Sequence, residues 1–320
     1  MNLKSTTDHN LQTRLKASLL GVVGSFVLFA AYLIVPPIGI FSGILAPFPA
    51  VYNRLINGRI SSLIVIIGAT TAITELFGVF AGSLYLGMCG MIGFFMPELL
   101  LRGFSVSRTL FWTTVANLLI LSAGFIAYST FSGVNLQSLI YAEISNSMKQ
   151  SIAIYEKMGV TGEDLEQIKR SMPTFEDLLQ RLYPALTTAM LVVIAGCNLA
   201  LLKKTAAKMA VNIFISDFST YKNPEPLVWI LIITGSALLL PVSLITTPAL
   251  NILFIVALLY FFQGMAVVSA LVKKHSIPAF MRILFYVMLV IQPYLLALVA
   301  SIGLFDLWVD FRTPKTQENL

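Results

Sequence analysis

Residues 249–272 read Ala-Leu-Asn-Ile-Leu-Phe-Ile-Val-Ala-Leu-Leu-Tyr-Phe-Phe-Gln-Gly-Met-Ala-Val-Val-Ser-Ala-Leu-Val, without one charge, and Lys273 and Lys274 close the stretch. About 20 such residues in a helix cross the hydrocarbon layer of a bilayer. The rest of the chain repeats this design. Of its 320 residues 57% are hydrophobic and 11% charged, against roughly 25% charged in a soluble protein. No single core hides that much apolar surface and leaves a polar exterior. Collagen-like, disordered and coiled-coil classes each need a composition this chain lacks. The sequence predicts an all-α protein, a polytopic transmembrane helix bundle of about eight or nine spans with an extracytoplasmic helical insert.

Candidate spans lie at 17–35, 37–53, 60–77, 79–97, 109–131, 182–202, 227–245, 249–272 and 283–304. The second is short and broken by Pro36, Pro37, Pro47 and Pro49. Only residues 75–78 separate the third from the fourth, which leaves a tight hairpin and one long bent helix both open. Charge tests the order independently. With the N-terminus in the cytoplasm, 14 of the 21 basic residues fall on the inside: Lys4, Arg14, Lys16, Arg54, Arg59, Arg102, Arg108, Lys203, Lys204, Lys208, Lys222, Lys273, Lys274 and Arg282. Most carboxylates, among them Glu143, Glu163, Asp164, Glu176, Asp177 and Asp306, fall opposite. That is the positive-inside pattern, and it predicts an inside N-terminus and an outside C-terminus. The net charge of +6 is therefore a matter of topology, not of a face for nucleic acid.

The predicted organisation is a cytoplasmic tail (1–16), an N-terminal bundle (17–131), an insert (132–181), a C-terminal bundle (182–305) and a tail (306–320). The first span reads as an uncleaved anchor. In the insert, Leu136, Leu139, Ile140, Ile144, Met148, Ile152 and Tyr155 recur every three or four residues, an amphipathic helix. Thr161 with Asp164, and Thr174 with Asp177, have the spacing of capping boxes that would start two more helices. Pro184 is a candidate kink in the sixth span. Residues 203–226, with Lys203, Lys204, Lys208, Val211, Ile213 and Phe214, read as an interfacial helix drawn to anionic lipid.

Enzyme signatures are missing. Cys89 and Cys197 lie in apolar segments, and His9 and His275 have no metal-binding partner at ligand spacing. No metal site, no cofactor site and no P-loop are expected, and no enzymatic activity. Polar residues inside spans are costly in lipid and are the default functional candidates. Glu75 is the most pointed, as a contact to a cationic or hydrogen-bonding substrate group; a helix-end carboxylate reaching headgroup water is the plainer reading. Asn117, Asn198, Asn251, Gln263 and Gln292 read first as interhelical hydrogen-bonding glue. Asn117 and Gln292 are the substrate-contact candidates beside Glu75, and Gln292 leads the amides because Pro293 after it would free a backbone carbonyl.

Small residues make two stripes. Gly78, Gly82, Gly87, Gly90 and Gly93 slim the fourth span, and Ala17, Gly21 and Ser25 stand four apart on the first. Both mark close helix approach, inside this bundle or, for Ala17, Gly21 and Ser25, against a partner's helix. At the carboxyl end, Asp306 and Asp310 stand four apart with Trp308 and Arg312 interleaved. On a helix the aspartates would share a face and Arg312 would pair with either one, or Trp308 would anchor the end at headgroup level.

This ending, Gly303, Asp306, Trp308, Asp310, Phe311 and Arg312 after a last hydrophobic span, resembles the YybS-like family of bacterial polytopic membrane proteins. Phe218, Tyr221, Pro224, Pro226 and Trp229 resemble that family's central region. The resemblance implies a multi-pass protein of the bacterial inner membrane and fixes no biochemical job. More distantly, the N-terminal half is similar to S components of energy-coupling-factor transporters. Those Gly-rich bundles capture a vitamin or metal at the outer side and dock a transmembrane coupling subunit through small residues on their first helix. Ala17, Gly21 and Ser25 match that stripe, with Gly and Ser in place of two alanines. S components usually have six spans and no insert of this size, and none of their vitamin contacts is carried over. Two functions follow as expectations: a transport-related binding subunit without its own ATPase, with lipid and a coupling subunit as partners, or a scaffold in cell-envelope assembly. An intramembrane transferase, resting on Asp306 and Asp310 alone, is the weakest.

Overall fold

The computed structural model describes residues 3–35, 39–206, 216–309 and 311–312. Every regular element among them is helical. The first apolar stretch lies in α1 (Leu3–Ile34). The next does not form one helix: it divides into α2 (Gly39–Leu45) and α3 (Phe48–Asn57). Pro47 caps α3 and Pro49 sits in its first turn. Prolines suit a helix start, but inside a helix they remove a hydrogen bond and clash with the preceding turn. After α4 (Arg59–Phe77), Gly78 adopts φ 92°, a conformation open to glycine, and begins α5 (Val79–Tyr85). The chain folds back here as a tight hairpin, and a Cβ on Gly82 would lie 1.9 Å from Thr74 Oγ1. A π-helical turn, Leu86–Gly90, leads into α6 (Met91–Leu101).

α7 (Val106–Ser132) is followed by α8 (Leu136–Lys157), whose first turn is capped by Asn135 Oδ1 accepting from the N–H groups of Gln137 and Ser138. Next comes α9 (Glu163–Ala206), 44 residues in one helix, about 66 Å at 1.5 Å per residue. The expected second capping box is therefore overridden: Thr174 and Asp177 lie inside α9, as do Pro173 and Pro184. A short 3-10 turn, Phe218–Thr220, precedes α10 (Leu227–Ala237). Residues 216–226 are otherwise not helical, and Lys208, Val211, Ile213 and Phe214 of the expected interfacial helix lie outside the described residues. α10 ends after 11 residues, and α11 (Ser243–Lys274) begins beyond Pro241. The last apolar stretch breaks into α12 (Ala279–Ile291) and α13 (Pro293–Phe305), bent by 108° at Gln292.

Six helices among the described residues are long and apolar enough to cross a membrane, in the segments Gln12–Ile34, Arg59–Phe77, Val79–Leu101, Val106–Ser132, Glu163–Ala206 and Ser243–Lys274. A seventh arises if the bent pair counts as one broken span. Residues 37–53, 227–245 and 283–304 do not form single helices of spanning length.

The chain divides into two compact units, one of Met1–Val134 with Met190–Ile215 and one of Asn135–Ala189 with Ser216–Leu320. The dividing lines differ from those read in the sequence: the insert belongs with the C-terminal helices, and the end of α9 with the N-terminal ones. In the first unit, Val51, Ile92, Met96, Leu191, Ile194 and Leu202 form the largest buried cluster, and Phe29, Ala69, Ile73 and Tyr85 a second. In the second unit, α11 packs along α13 and α10. Asn251 of α11 mends the proline break in α9. It donates to Arg181 O at 2.7 Å and accepts from Ala185 N–H at 2.9 Å, taking up both halves of one lost helical hydrogen bond.

Candidate functional site

The densest buried polar cluster grows from a close crossing of α11 and α13. A Cβ on Gly303 would lie 1.9 Å from Tyr260 O, and one on Gly264 would lie 1.9 Å from Val299 O. Only hydrogen fits at either position, so the two backbones touch. α13 ascends as α11 descends, since residue 299 faces 264 while 303 faces 260. The crossing sets Asp306, just past α13, against Gln263 of α11: Gln263 Nε2 donates to Asp306 Oδ2 at 2.9 Å. The chain then turns back. Arg312 Nη2 donates to the same Asp306 oxygen at 2.7 Å, and its Nη1 donates to Ser219 O at 2.9 Å.

The segment 216–226, helical only in the 3-10 turn at Phe218–Thr220, is bound to this knot along its length. Asn223 N–H donates to Gln263 Oε1 at 3.0 Å, and Asn223 Nδ2 donates to Leu259 O at 2.9 Å. Tyr221 donates its hydroxyl to Asn223 Oδ1 at 2.7 Å. Nearer the end of α11, Lys273 pairs with Asp217 and its ammonium lies 3.4 Å from Ser219 Oγ. Backbone outside a helix leaves polar groups that an apolar surrounding does not satisfy, so partners must come from side chains. Gln263, Arg312 and Asn223 are those partners. Burial is nearly complete: Gln263 is 0% exposed, Asp306 3% and Asn223 5%. Asp306 Oδ1 and the Tyr260 hydroxyl are buried with no hydrogen-bond partner among the described residues.

The expected geometry of the ending is thus corrected. Helix α13 stops at Phe305, so Asp306 and Arg312 meet across a chain reversal and not along a helix face. Arg312 thereby reaches Ser219, whose hydroxyl lies beside the Lys273 ammonium of α11. Trp308 is exposed, as an interfacial anchor would be, and Asp310 lies outside the described residues.

The other candidates are not brought to this knot. Glu75 is exposed on the last turn of α4, and Gln292 is exposed at the break before α13. Asn117 is fully buried in the first unit, and neither amide atom has a partner among the described residues. Thr113 and Thr114 beside it are buried with hydroxyls in the same condition. Glu75 and Asn117 belong to one unit and Gln292 to the other, so neither unit assembles the three. Asn198 donates to Ile44 O and Ile194 O, each at 2.7 Å, the glue expected of a membrane amide.

The small-residue stripe of α1 is used inside the first unit. A Cβ on Gly21 would lie 2.5 Å from Asn53 Nδ2 and 2.6 Å from Val65 Cγ2. Ser25 is buried, donating to Ala46 O at 2.6 Å and accepting from the Tyr85 hydroxyl at 3.0 Å. Ala17 is half-buried. The chain's own α3, α4 and α5 thus occupy the face read as a docking stripe. Glycines 87, 90 and 93 likewise meet Leu121, Ile66 and Ala50.

Two features escaped the sequence reading. Glu98 gathers Arg54 at 2.8 Å, Arg102 at 3.4 Å and Arg59 at 3.6 Å, so three arginines assigned to one membrane side converge on one carboxylate. The i,i+4 spacing of Glu98 and Arg102 was the available signal. The role of Asn223 had no signal, because it depends on a contact 40 residues away.

Among the described residues no group of His, Cys, Asp and Glu is arranged to hold a metal ion. A family model with the description "Predicted membrane protein (DUF2232)" matches residues 23–307. No curated protein and no solved structure matches the chain.

Proposed function

The chain belongs to the DUF2232 family of predicted membrane proteins, and from that premise we propose that it is a transport-related subunit that binds a small molecule and has no ATPase of its own. One observation carries this reading: the buried Asp306–Arg312 pair, with Gln263 and Asn223, lies where two interrupted segments meet. A buried ion pair is a poor source of stability, because desolvation offsets most of its attraction. Ionisable groups in apolar surroundings therefore mark function by default. In transporters, binding sites form where helices are broken and backbone groups are freed. Residues 216–226 before α10 and the end of α13 supply such breaks, and Asp306 Oδ1 supplies an acceptor with no partner among the described residues.

On this reading Asp306 precedes Glu75 as the carboxylate to test, since Glu75 is exposed. Asn117 remains a polar contact in its own unit, and Gln292 marks the hinge of the last bent pair. This reading places the protein in the bacterial inner membrane with its N-terminus in the cytoplasm, an orientation that the one-sided placement of the basic residues supports. The α8 hairpin with the start of α9 is then extracytoplasmic. Eight segments cross: α1, α2 with α3, α4, α5 with α6, α7, α9, residues 216–237, and α11. α12 and α13 form a ninth element that enters and returns, which brings Arg312 back to the side of Lys273.

Native mass spectrometry of protein released from nanodiscs tests the binding reading. The wild type should retain a small molecule that Asp306→Asn loses, with both proteins folded by circular dichroism. No retained molecule, together with wild-type growth of cells carrying Asp306→Asn, would remove the proposal. The scaffold reading rests on the exposed amphipathic α8. Crosslinks to cell-wall or division proteins, and none to an ATPase-bearing transporter, would favour it.

A further inference from the structure

Glu98 gathers more positive charge than it can neutralise. Arg54 of α3 satisfies it alone: Nε and Nη2 both donate to Glu98 Oε2, at 3.3 and 2.8 Å. That pair is sheltered, each side chain being 17% exposed. Yet Arg102 Nη2 also donates to Glu98 Oε1 at 3.4 Å, and Arg59 Nη2 lies 3.6 Å from the same oxygen. Three guanidiniums on one carboxylate leave two positive charges uncompensated at one place. The Nη2 atoms of Arg59 and Arg102 are no more than about 7 Å apart, where like charges repel unless a further anion joins them.

Helix ends account for two of the three. Arg54 in the last turn of α3 and Arg102 just past α6 sit where a helix carries partial negative charge. Arg59 has the opposite setting, as the first residue of α4, where the partial charge is positive. Gly58 before it provides no side-chain cap, so the first N–H groups of α4 add to the demand for an anion. The Arg59 guanidinium is placed over the Phe94 ring, 5.4 Å from its centroid. Arg59 and Arg102 are also the open members of the group, with side chains 54% and 64% exposed. A guanidinium has five N–H donors in a planar fork that matches phosphate oxygens in pairs. Each of these two brings a single nitrogen to Glu98, which leaves donors for a second anion.

The neighbouring residues favour a lipid phosphate over a free one. Arg59 opens, and Arg102 directly follows, segments long and apolar enough to cross a membrane. Ile56, Ile60 and Leu101, next to the arginines along the chain, are exposed. An acyl chain would cover such surface, and a free phosphate would not. Basic pockets between helices at the cytoplasmic end suit anionic lipid heads.

We infer that Arg59 and Arg102, gathered by Glu98, bind the phosphate of an anionic phospholipid headgroup. The inference does not rest on the transport reading. Its test is native mass spectrometry of the full chain in detergent, titrated with phosphatidylglycerol or with phosphatidylcholine of the same acyl chains. The wild type should retain phosphatidylglycerol about tenfold better. Arg59→Gln with Arg102→Gln keeps the Arg54–Glu98 pair and should bring the two lipids to equal retention, with circular dichroism unchanged. Lys16→Gln with Arg108→Gln removes as much charge from exposed positions elsewhere and should keep the preference. Inorganic phosphate in large excess should not displace the lipid. Equal retention of both lipids by the wild type would overturn the inference, as would an undiminished preference after loss of Arg59 and Arg102. An equal loss in the Lys16 and Arg108 variant would reduce the effect to net charge and overturn it too. Displacement by inorganic phosphate would mark a site for soluble phosphate instead.

Discussion

At the scale of single residues, the sharpest demands come from two glycines and one ion pair. Gly303 and Gly264 each face a backbone oxygen at 1.9 Å from a would-be Cβ. Gly303→Ala must therefore push α13 off α11, and overpacking of this kind costs about 1–3 kcal/mol. Thermal unfolding in detergent should show a clear drop in Tm for Gly303→Ala. Gly124→Ala, where nothing lies within 4 Å, should leave Tm unchanged or slightly raised. Arg312→Gln would strand the Asp306 charge, a loss of about 3–5 kcal/mol for a buried pair. Adding Asp306→Asn should recover part of that loss, and a double-mutant cycle measures how much.

At the scale of elements, prolines and glycines decide where apolar stretches stop being one helix. Pro47 and Pro49 divide α2 from α3, Gly78 folds α4 onto α5, and Pro293 bends the last pair. Those residues were visible in the sequence, but their outcome was not uniform. Pro173 and Pro184 interrupt nothing visible in α9, and at Pro184 the reason is Asn251, which takes up the Arg181 carbonyl and the Ala185 N–H. Asn251→Ala should cost about 1–3 kcal/mol. In a Pro184→Ala background, where Ala185 regains its own helical partner, most of that cost should vanish. An equal cost in both backgrounds, measured by denaturation in mixed micelles, would refute the mending role.

At the scale of the whole molecule, topology is the testable quantity. On the proposed topology, reporters fused after residue 320 should read cytoplasmic, since Arg312 returns to Ser219 beside Lys273. Reporters in the turn at 158–162 should read the opposite side. An outside C-terminus, the simpler count from nine apolar stretches, would count against that topology.

Composition and periodicity by themselves determined that this chain is helical and built for a membrane, because apolar residues repeated over some 20 positions have few other stable environments. Of the residues that stand out at the carboxyl end, Gly303 makes the close crossing with α11, and Asp306 pairs with Arg312. What only the tertiary structure decided is which of these residues meet. Asp306 finds Arg312 by a turn, Gln263 by a glycine crossing and Asn223 through a segment 40 residues before Gln263. Side-chain pairing across such distances depends on how helices cross, and helix crossing is set by packing volume and freed backbone groups that no local spacing records.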